Sequence, residues 1–100
     1  MEQAILGSEV KFSVQAVAEG FSMEDDEFSV KIMKGRNAVK EFSKSDLVNE
    51  GGTFIMCIDT NEIGVGSFDA AVFAEVPDAH FADGYRTEIQ RVQLLNVRKL

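Results

Sequence analysis

Cysteine and histidine can together form a nucleophilic site, and the chain has one of each, Cys57 and His80. Such a pair needs an accessible thiolate whose proton the imidazole can accept. Cys57 lies within the run Phe-Ile-Met-Cys-Ile, where a thiol ordinarily behaves as a small buried hydrophobic group. One histidine and one buried cysteine are also too few for zinc, which takes about three or four protein ligands. We therefore expect no enzyme activity and no cofactor.

Carboxylates offer a second kind of chemistry, which is calcium binding. Ca²⁺ takes about six to eight oxygen ligands, and two acidic connections could supply them together if both lie at one end of the fold. The candidate ligands are Asp25, Asp26, Asp78 and Asp83. The acids of 24–27 are consecutive, so they lack the alternating register of an EF-hand loop. The sequence favours a solvated acidic turn and leaves a metal site as the alternative.

The segment EVPDAHFADGYRTE, residues 75–88, holds the chain's only proline, histidine and tyrosine. Proline ends a strand, and aspartate and glycine form turns, so the segment predicts a long loop. In one interpretation Phe81 caps the core and Tyr85 hydrogen-bonds the backbone as a corner tyrosine. In the other, the loop is a partner-binding surface, because Tyr and Arg are enriched in binding hot spots. That surface would consist of His80, Phe81, Tyr85 and Arg86.

The rest of the chain has the pattern of short strands that would hold this loop. The centre of 53–59 is wholly apolar, which predicts the most buried strand of the fold. Apolar and polar residues alternate, as in half-buried strands, over 9–18, 28–33, 38–42 and 67–76.

The connections and the last segment are less uniform. A helical turn is one interpretation of 43–48, a plain turn is expected at 49–52, and Thr60 could cap another helical turn. Residues 87–100 fit either an amphipathic helix or a long strand with a bulge near Val92. We favour the strand, because five strands need a further partner to close two sheets.

Length and composition bound the class of protein. One hundred residues predict a single domain, 1–100, and six or seven short strands predict an all-β antiparallel β-sandwich. The net charge of −7 disfavours nucleic acid and anionic membranes as partners. A single cysteine forms no disulfide within the chain, and the first residues show no signal-peptide pattern. We therefore expect cytoplasmic synthesis, with incorporation into a larger particle as a further step.

Apolar residues also occur on the second faces of two strands. These residues are Ile55, Cys57, Ala71 and Phe73. The solvent face of an antiparallel sheet is ordinarily polar, so we expect another chain to cover some of them. Protein partners or self-association are therefore predicted.

Two patterns resemble known proteins. The unit from Phe54 to Val72, with Asp59-Thr60, Gly64 and Gly66, is similar to a recurring unit of bacterial and phage immunoglobulin-like domains. Segments 19–26 and 76–88 resemble small proteins encoded in prophages and mobile elements of gut Bacteroides. The first segment is also similar to the N-terminal domain of upper baseplate proteins in phages of Gram-positive hosts.

The resemblance implies an immunoglobulin-like fold and a structural role in a virion or phage tail. It implies no catalytic residues. A second hypothesis is a carbohydrate- or calcium-binding module that uses the loops around Asp25, Asp26, Asp78, Asp83 and Tyr85.

Overall fold

The computed structural model describes residues 2–100 and contains eight strands in two sheets. A 3-10 turn spans Lys44–Asp46, and a single helical turn, α1, spans Thr60–Ile63. The strands are β1 (Glu2–Ile5), β2 (Glu9–Val14), β3 (Phe28–Lys34), β4 (Asn37–Ser43), β5 (Val48–Glu50), β6 (Thr53–Asp59), β7 (Gly66–Pro77) and β8 (Tyr85–Arg98). Within these residues, neither helical segment has the length and apolarity of a membrane span.

The larger sheet has the strand order β1-β8-β7-β3-β4, and the smaller sheet has the order β2-β6-β5. All neighbouring strands are antiparallel except β1 and β8, which are parallel and pair from Glu2–Leu95 to Ile5–Arg98. The expected all-β architecture is therefore confirmed, although one of its pairings is not antiparallel.

The core lies between the two sheets and is built from the inward positions of their strands. Phe28 of the larger sheet packs edge-to-face on Phe54 of the smaller one, with ring centroids 5.2 Å apart. Other buried members include Val14, Val30, Ile32, Met56, Ile58, Phe68, Val72, Leu95 and Val97. Burial of such side chains contributes about 1.5–3 kcal/mol each to the free energy of unfolding.

The last strand settles the ambiguity between helix and strand. β8 is a single strand, and its register with β7 shifts between Phe68–Leu95 and Asp69–Gln93. Leu94 is therefore the extra residue of a bulge two positions from Val92. The preference for a long bulged strand is confirmed. The sequence pattern missed β1 and β5, because four and three residues are too few to show an alternation.

Cys57 is exposed, so the prediction that this thiol is buried is wrong. Phe54 and Met56 point into the core, and the period of two sends Ile55 and Cys57 to the outer face of the smaller sheet. Thr60 does not cap α1 either: the Asp59 carboxylate accepts the Asn61 N–H. Thr60 is fully buried instead.

Part of the outer face of the larger sheet, around Ala71 and Phe73, is covered by side chains of the chain itself. Ala71 is only 4% exposed, and it lies between Lys31 and Arg91 on the flanking strands. The Lys31 amine lies 4.9 Å from the centroid of the Phe73 ring. The aliphatic stems of such long side chains cover apolar surface while their charges stay in water. The burial of Ala71 therefore gives no argument for a covering chain.

A candidate contact surface at the β7–β8 loop

The connection between β7 and β8 is a loop that its own carboxylates fold. Asp78 Oδ1 accepts the backbone N–H of His80 at 3.0 Å, and Asp83 Oδ1 accepts that of Tyr85 at 3.1 Å. In both cases the donor lies two residues after the aspartate, which is the geometry of an Asx turn. Asp78 therefore fixes the backbone that leads to His80, and Asp83 fixes the backbone that leads to Tyr85.

Backbone hydrogen bonds close the same loop at its base. The N–H of Asp78 donates to the carbonyl of Gly84 at 2.8 Å, and the N–H of Gly84 donates to that of Phe81 at 2.9 Å. Gly84 has φ +85°, a conformation that residues with a Cβ rarely adopt. The loop is therefore an ordered turn whose ends are joined.

Arg86 anchors the loop to its surroundings. Its Nη1 donates to Asp78 Oδ2 at 2.9 Å, and its Nη2 donates to the carbonyl of Glu19 at 3.3 Å. The hydrogen bond from the His80 N–H holds the pKa of Asp78 below its ordinary value, partial burial opposes this shift, and Arg86 reinforces it. Asp78 is therefore expected to remain a carboxylate, able to accept both bonds, at neutral pH.

The loop presents its large side chains to solvent. Phe81 is 50% exposed and Tyr85 is 48% exposed, while the His80 side chain is 96% exposed. The interpretation of Phe81 as a cap on the core and of Tyr85 as a corner tyrosine is therefore wrong. Phe28 and Phe54 are each 3% exposed and pack on each other at this end of the core without any contribution from Phe81.

The acidic connection 24–27 lies at the same end of the sandwich. Lys44 holds it, because its Nζ donates to the carbonyls of Glu24 and Asp26 at 2.7 and 2.9 Å. The Asp26 carboxylate accepts the Ser22 N–H at 2.8 Å. Asp26 is thus already used to fold its own connection.

A depression of about 290 Å³ lies between this connection and the start of β8. It is lined by Asp25, Asp26, Glu27, Glu75 and Tyr85. The fold thus brings two of the four predicted calcium ligands next to the predicted contact residue. Nowhere in residues 2–100 do three or more His, Cys, Asp or Glu side chains form a group able to hold a metal ion.

Sequence reasoning missed two apolar residues beside the loop. Ile89 is 60% exposed and Val92 is 57% exposed, on opposite faces of β8. Both fit a strand pattern, and their residue types give no sign of exposure. Whether these two side chains are exposed depends only on where the neighbouring strands lie.

Comparison with known proteins yields no assignment: no family model matches the chain, and no curated protein or solved structure matches it significantly.

Proposed function

We propose that the protein is a non-enzymatic immunoglobulin-like structural module, a phage-type virion or tail component that acts through protein–protein contacts at the β7–β8 loop. The observation that carries this proposal is the exposure of Phe81, on a loop closed by internal hydrogen bonds, and of Tyr85, at the first position of β8 directly after it. Aromatic residues dominate binding energy when a partner buries them. An ordered loop also loses less conformational entropy on binding than a flexible one.

The strand order supports the immunoglobulin-like part of the proposal. The order β2-β6-β5 corresponds to strands B, E and D of an immunoglobulin sandwich, and β8-β7-β3-β4 corresponds to G, F, C and C′. The short β1 corresponds to the first strand of such a sandwich, and it pairs with β8 in the larger sheet instead of with β2 in the smaller one. In this scheme the β7–β8 loop is the F–G loop, which is a frequent contact loop.

The charges around the loop indicate what kind of partner would fit. The chain has 17 acidic and 10 basic residues, and Asp25, Glu27 and Glu75 lie beside Tyr85. A protein surface with an apolar pocket for the aromatic rings and a basic rim would complement this end. The exposed Phe81 and Tyr85 would then supply most of the affinity.

The assignment to a phage particle is supported by the resemblance of 19–26 and 76–88 to prophage-encoded proteins. It is tested by inducing a lysogen that encodes this chain and separating particles from soluble protein on a density gradient. We expect the chain in the particle band, at a constant ratio to the major capsid protein. Recovery only in the soluble fraction would overturn the assignment.

The contact residues are tested in the same particles. The double variant Phe81→Ala, Tyr85→Ala should be depleted from the particle band by about tenfold or more, since each lost hot spot costs about 2 kcal/mol or more. The matched control is Val48→Ala, because Val48 is 53% exposed on the smaller sheet. Equal incorporation of both variants would exclude the loop as the contact surface.

The depression beside Tyr85 favours one alternative, a carbohydrate-binding module. An exposed aromatic ring next to Asp25 and Glu75 offers a stacking face and hydrogen-bond acceptors for sugar hydroxyls. A glycan array probed with the protein and with Tyr85→Ala tests this directly. Tyr85-dependent binding to a defined glycan would replace the assembly proposal. A melting temperature that rises only with calcium would instead support the metal-binding form of this alternative.

A further inference from the structure

The two sheets have exposed edges, and most of these are protected against pairing with another chain. β4 has a register shift opposite Ile32 and Met33, and it carries Lys40 and Glu41. β5 has only three residues, and β2 has six. Bulges, charges and short length are the features by which natural sheets prevent edge-to-edge association.

The first half of β8 is a different kind of edge. β7 pairs with β8 on one side from Tyr85 to Val97, but β1 covers the other side only from Leu95 to Arg98. Among residues 2–100, no strand pairs with 85–92 on that side. The connection after β2 reaches this stretch only through side chains, since Val17 bonds to the Gln90 amide and the Glu19 carbonyl accepts from Arg86. Of the nine exposed large hydrophobic residues among 2–100, three lie on this stretch: Tyr85, Ile89 and Val92.

Of the charged side chains of this edge, Arg91 extends away from it, whereas Arg86 and Glu88 stay beside it, with Nε and Oε1 3.8 Å apart. Arg91 bonds to Asp69 Oδ2 at 2.8 Å and to the carbonyl of Gly35 at 2.8 Å, so it extends across the outer face towards β3 and β4. Arg86 is held by Asp78. With Glu88 as its one acid, residues 85–92 carry a local charge of +1. Electrostatic repulsion of a second acidic copy is therefore weaker at this edge than over the rest of the surface.

We propose that the free edge of β8 pairs antiparallel with the same edge of a second copy, with Thr87 on the two-fold axis. Residues that face each other across such an axis have numbers that add to the same total and lie on the same face of the joined sheet. Arg86 then faces the partner's Glu88, and Tyr85 faces the partner's Ile89. Each of these pairs occurs twice.

The charges select this register over its neighbours. With Glu88 on the axis, the two copies would place identical carboxylates opposite each other, which is destabilising. With Ile89 on the axis, Arg86 would face the partner's Val92, and no ion pair would form. Only the Thr87 register of the three joins opposite charges and covers exposed apolar side chains together.

This inference goes beyond the proposed function, because self-pairing through β8 requires neither a particle nor a foreign partner. Both proposals use Tyr85, but self-pairing also needs Ile89 and the backbone of 85–89, whereas the proposed contact surface extends outward through Phe81. The two proposals can therefore fail independently. A dimer that never enters particles would overturn only the first, and a monomer that enters them would overturn only the second.

The test is a cysteine scan of β8 in a Cys57→Ser background, with mild oxidation and non-reducing electrophoresis. A residue on a two-fold axis meets its own copy, and its Cβ atoms are then close enough for a disulfide. Thr87→Cys should give about tenfold more cross-linked dimer than the exposed control Val48→Cys. Stronger cross-linking of Ile89→Cys, or equal cross-linking of Thr87→Cys and the control, would overturn the proposed pairing.

Light scattering over a concentration series gives an independent readout without any cysteine. The mass should rise from 11.0 kDa towards twice that value, and Ile89→Lys should keep it at that of one chain, since inserted lysines protect an edge. Val48→Lys is the control and should dimerise as the parent does. A parent chain that remains monomeric at all concentrations would overturn the inference.

Discussion

Five aromatic side chains lie near the end of the sandwich where β7 meets β8, and they form two groups. Phe21, Phe28 and Phe54 make edge-to-face contacts, with centroids 6.4 and 5.2 Å apart for the two successive pairs. Phe81 and Tyr85 are each about half exposed. The residue types are nearly the same, so the difference comes from the elements that carry them.

Phe28 and Phe54 occupy inward positions on strands of facing sheets, where each ring has the other sheet to pack on. Phe81 is on the loop, and Tyr85 lies opposite Pro77 on the outer face of the larger sheet, so neither has a facing strand. The comparison shows that the core at this end is complete without the loop. The exposed pair is therefore available for contact without loss of the fold.

The largest expected effect comes from breaking the buried group. Phe54→Ala should lower the free energy of unfolding by about 3–5 kcal/mol, because it removes a ring that is 3% exposed and leaves a cavity. Urea unfolding followed by circular dichroism measures it. A change below about 1 kcal/mol would mean that Phe54 is not part of the core.

A smaller effect is expected from the lysine above the same rings. Lys44 donates to two backbone carbonyls, and its Nζ lies 5.9 and 5.7 Å from the Phe28 and Phe54 centroids. Lys44→Met keeps the aliphatic stem and should cost about 1–2 kcal/mol from the lost bonds. The control Lys31→Met removes only a stacked amine and should cost less. Equal costs would show that the carbonyl bonds contribute nothing.

The positions of Phe81 and Tyr85 depend on the order of the loop, and hydrogen bonds to the Asp78 carboxylate maintain that order. The pKa of Asp78 in the folded protein lies below the ordinary value. The contribution of this carboxylate to loop stability is therefore fully present above the unfolded pKa of about 3.9. That contribution is lost as the pH falls through the lower folded value. The protection factor of the His80 amide, which corrects hydrogen exchange for the intrinsic pH dependence of a free amide, should therefore fall only in acid. In Asp78→Asn, which cannot titrate, this acid transition should disappear; its persistence would assign the transition to another group.

The smallest effect is expected at the exposed rings themselves. Phe81→Ala and Tyr85→Ala should each change the free energy of unfolding by less than about 0.5 kcal/mol, in the same urea experiment that reports on Phe54. A loss of 2 kcal/mol or more, on the order of a buried-group truncation, would remove the distinction between the two groups.

Much of the strand layout follows from the sequence alone. Alternation in 28–33 and 67–76 predicted β3 and most of β7, because a period of two on a half-buried sheet is a local property. Pro77, Asp78 and Gly84 predicted a loop between the last two strands, since their backbone preferences are local as well. The loop is shorter than predicted, because Pro77 belongs to β7 and Tyr85 and Arg86 belong to β8. The same reasoning placed a bulge near Val92 in a long final strand.

The tertiary structure decided everything that depends on a neighbour distant in sequence. The apolar run 53–59 does not reveal that one of its faces is open, so the exposure of Cys57 followed only from the three-stranded sheet. Whether Phe81 caps the core depends on whether Phe28 and Phe54 already fill it. The edge of β8 is free because β1 pairs with it only from Leu95 to Arg98. The sequence by itself determined which segments extend and where they turn, whereas burial and edges are properties of pairs of segments that only folding brings together.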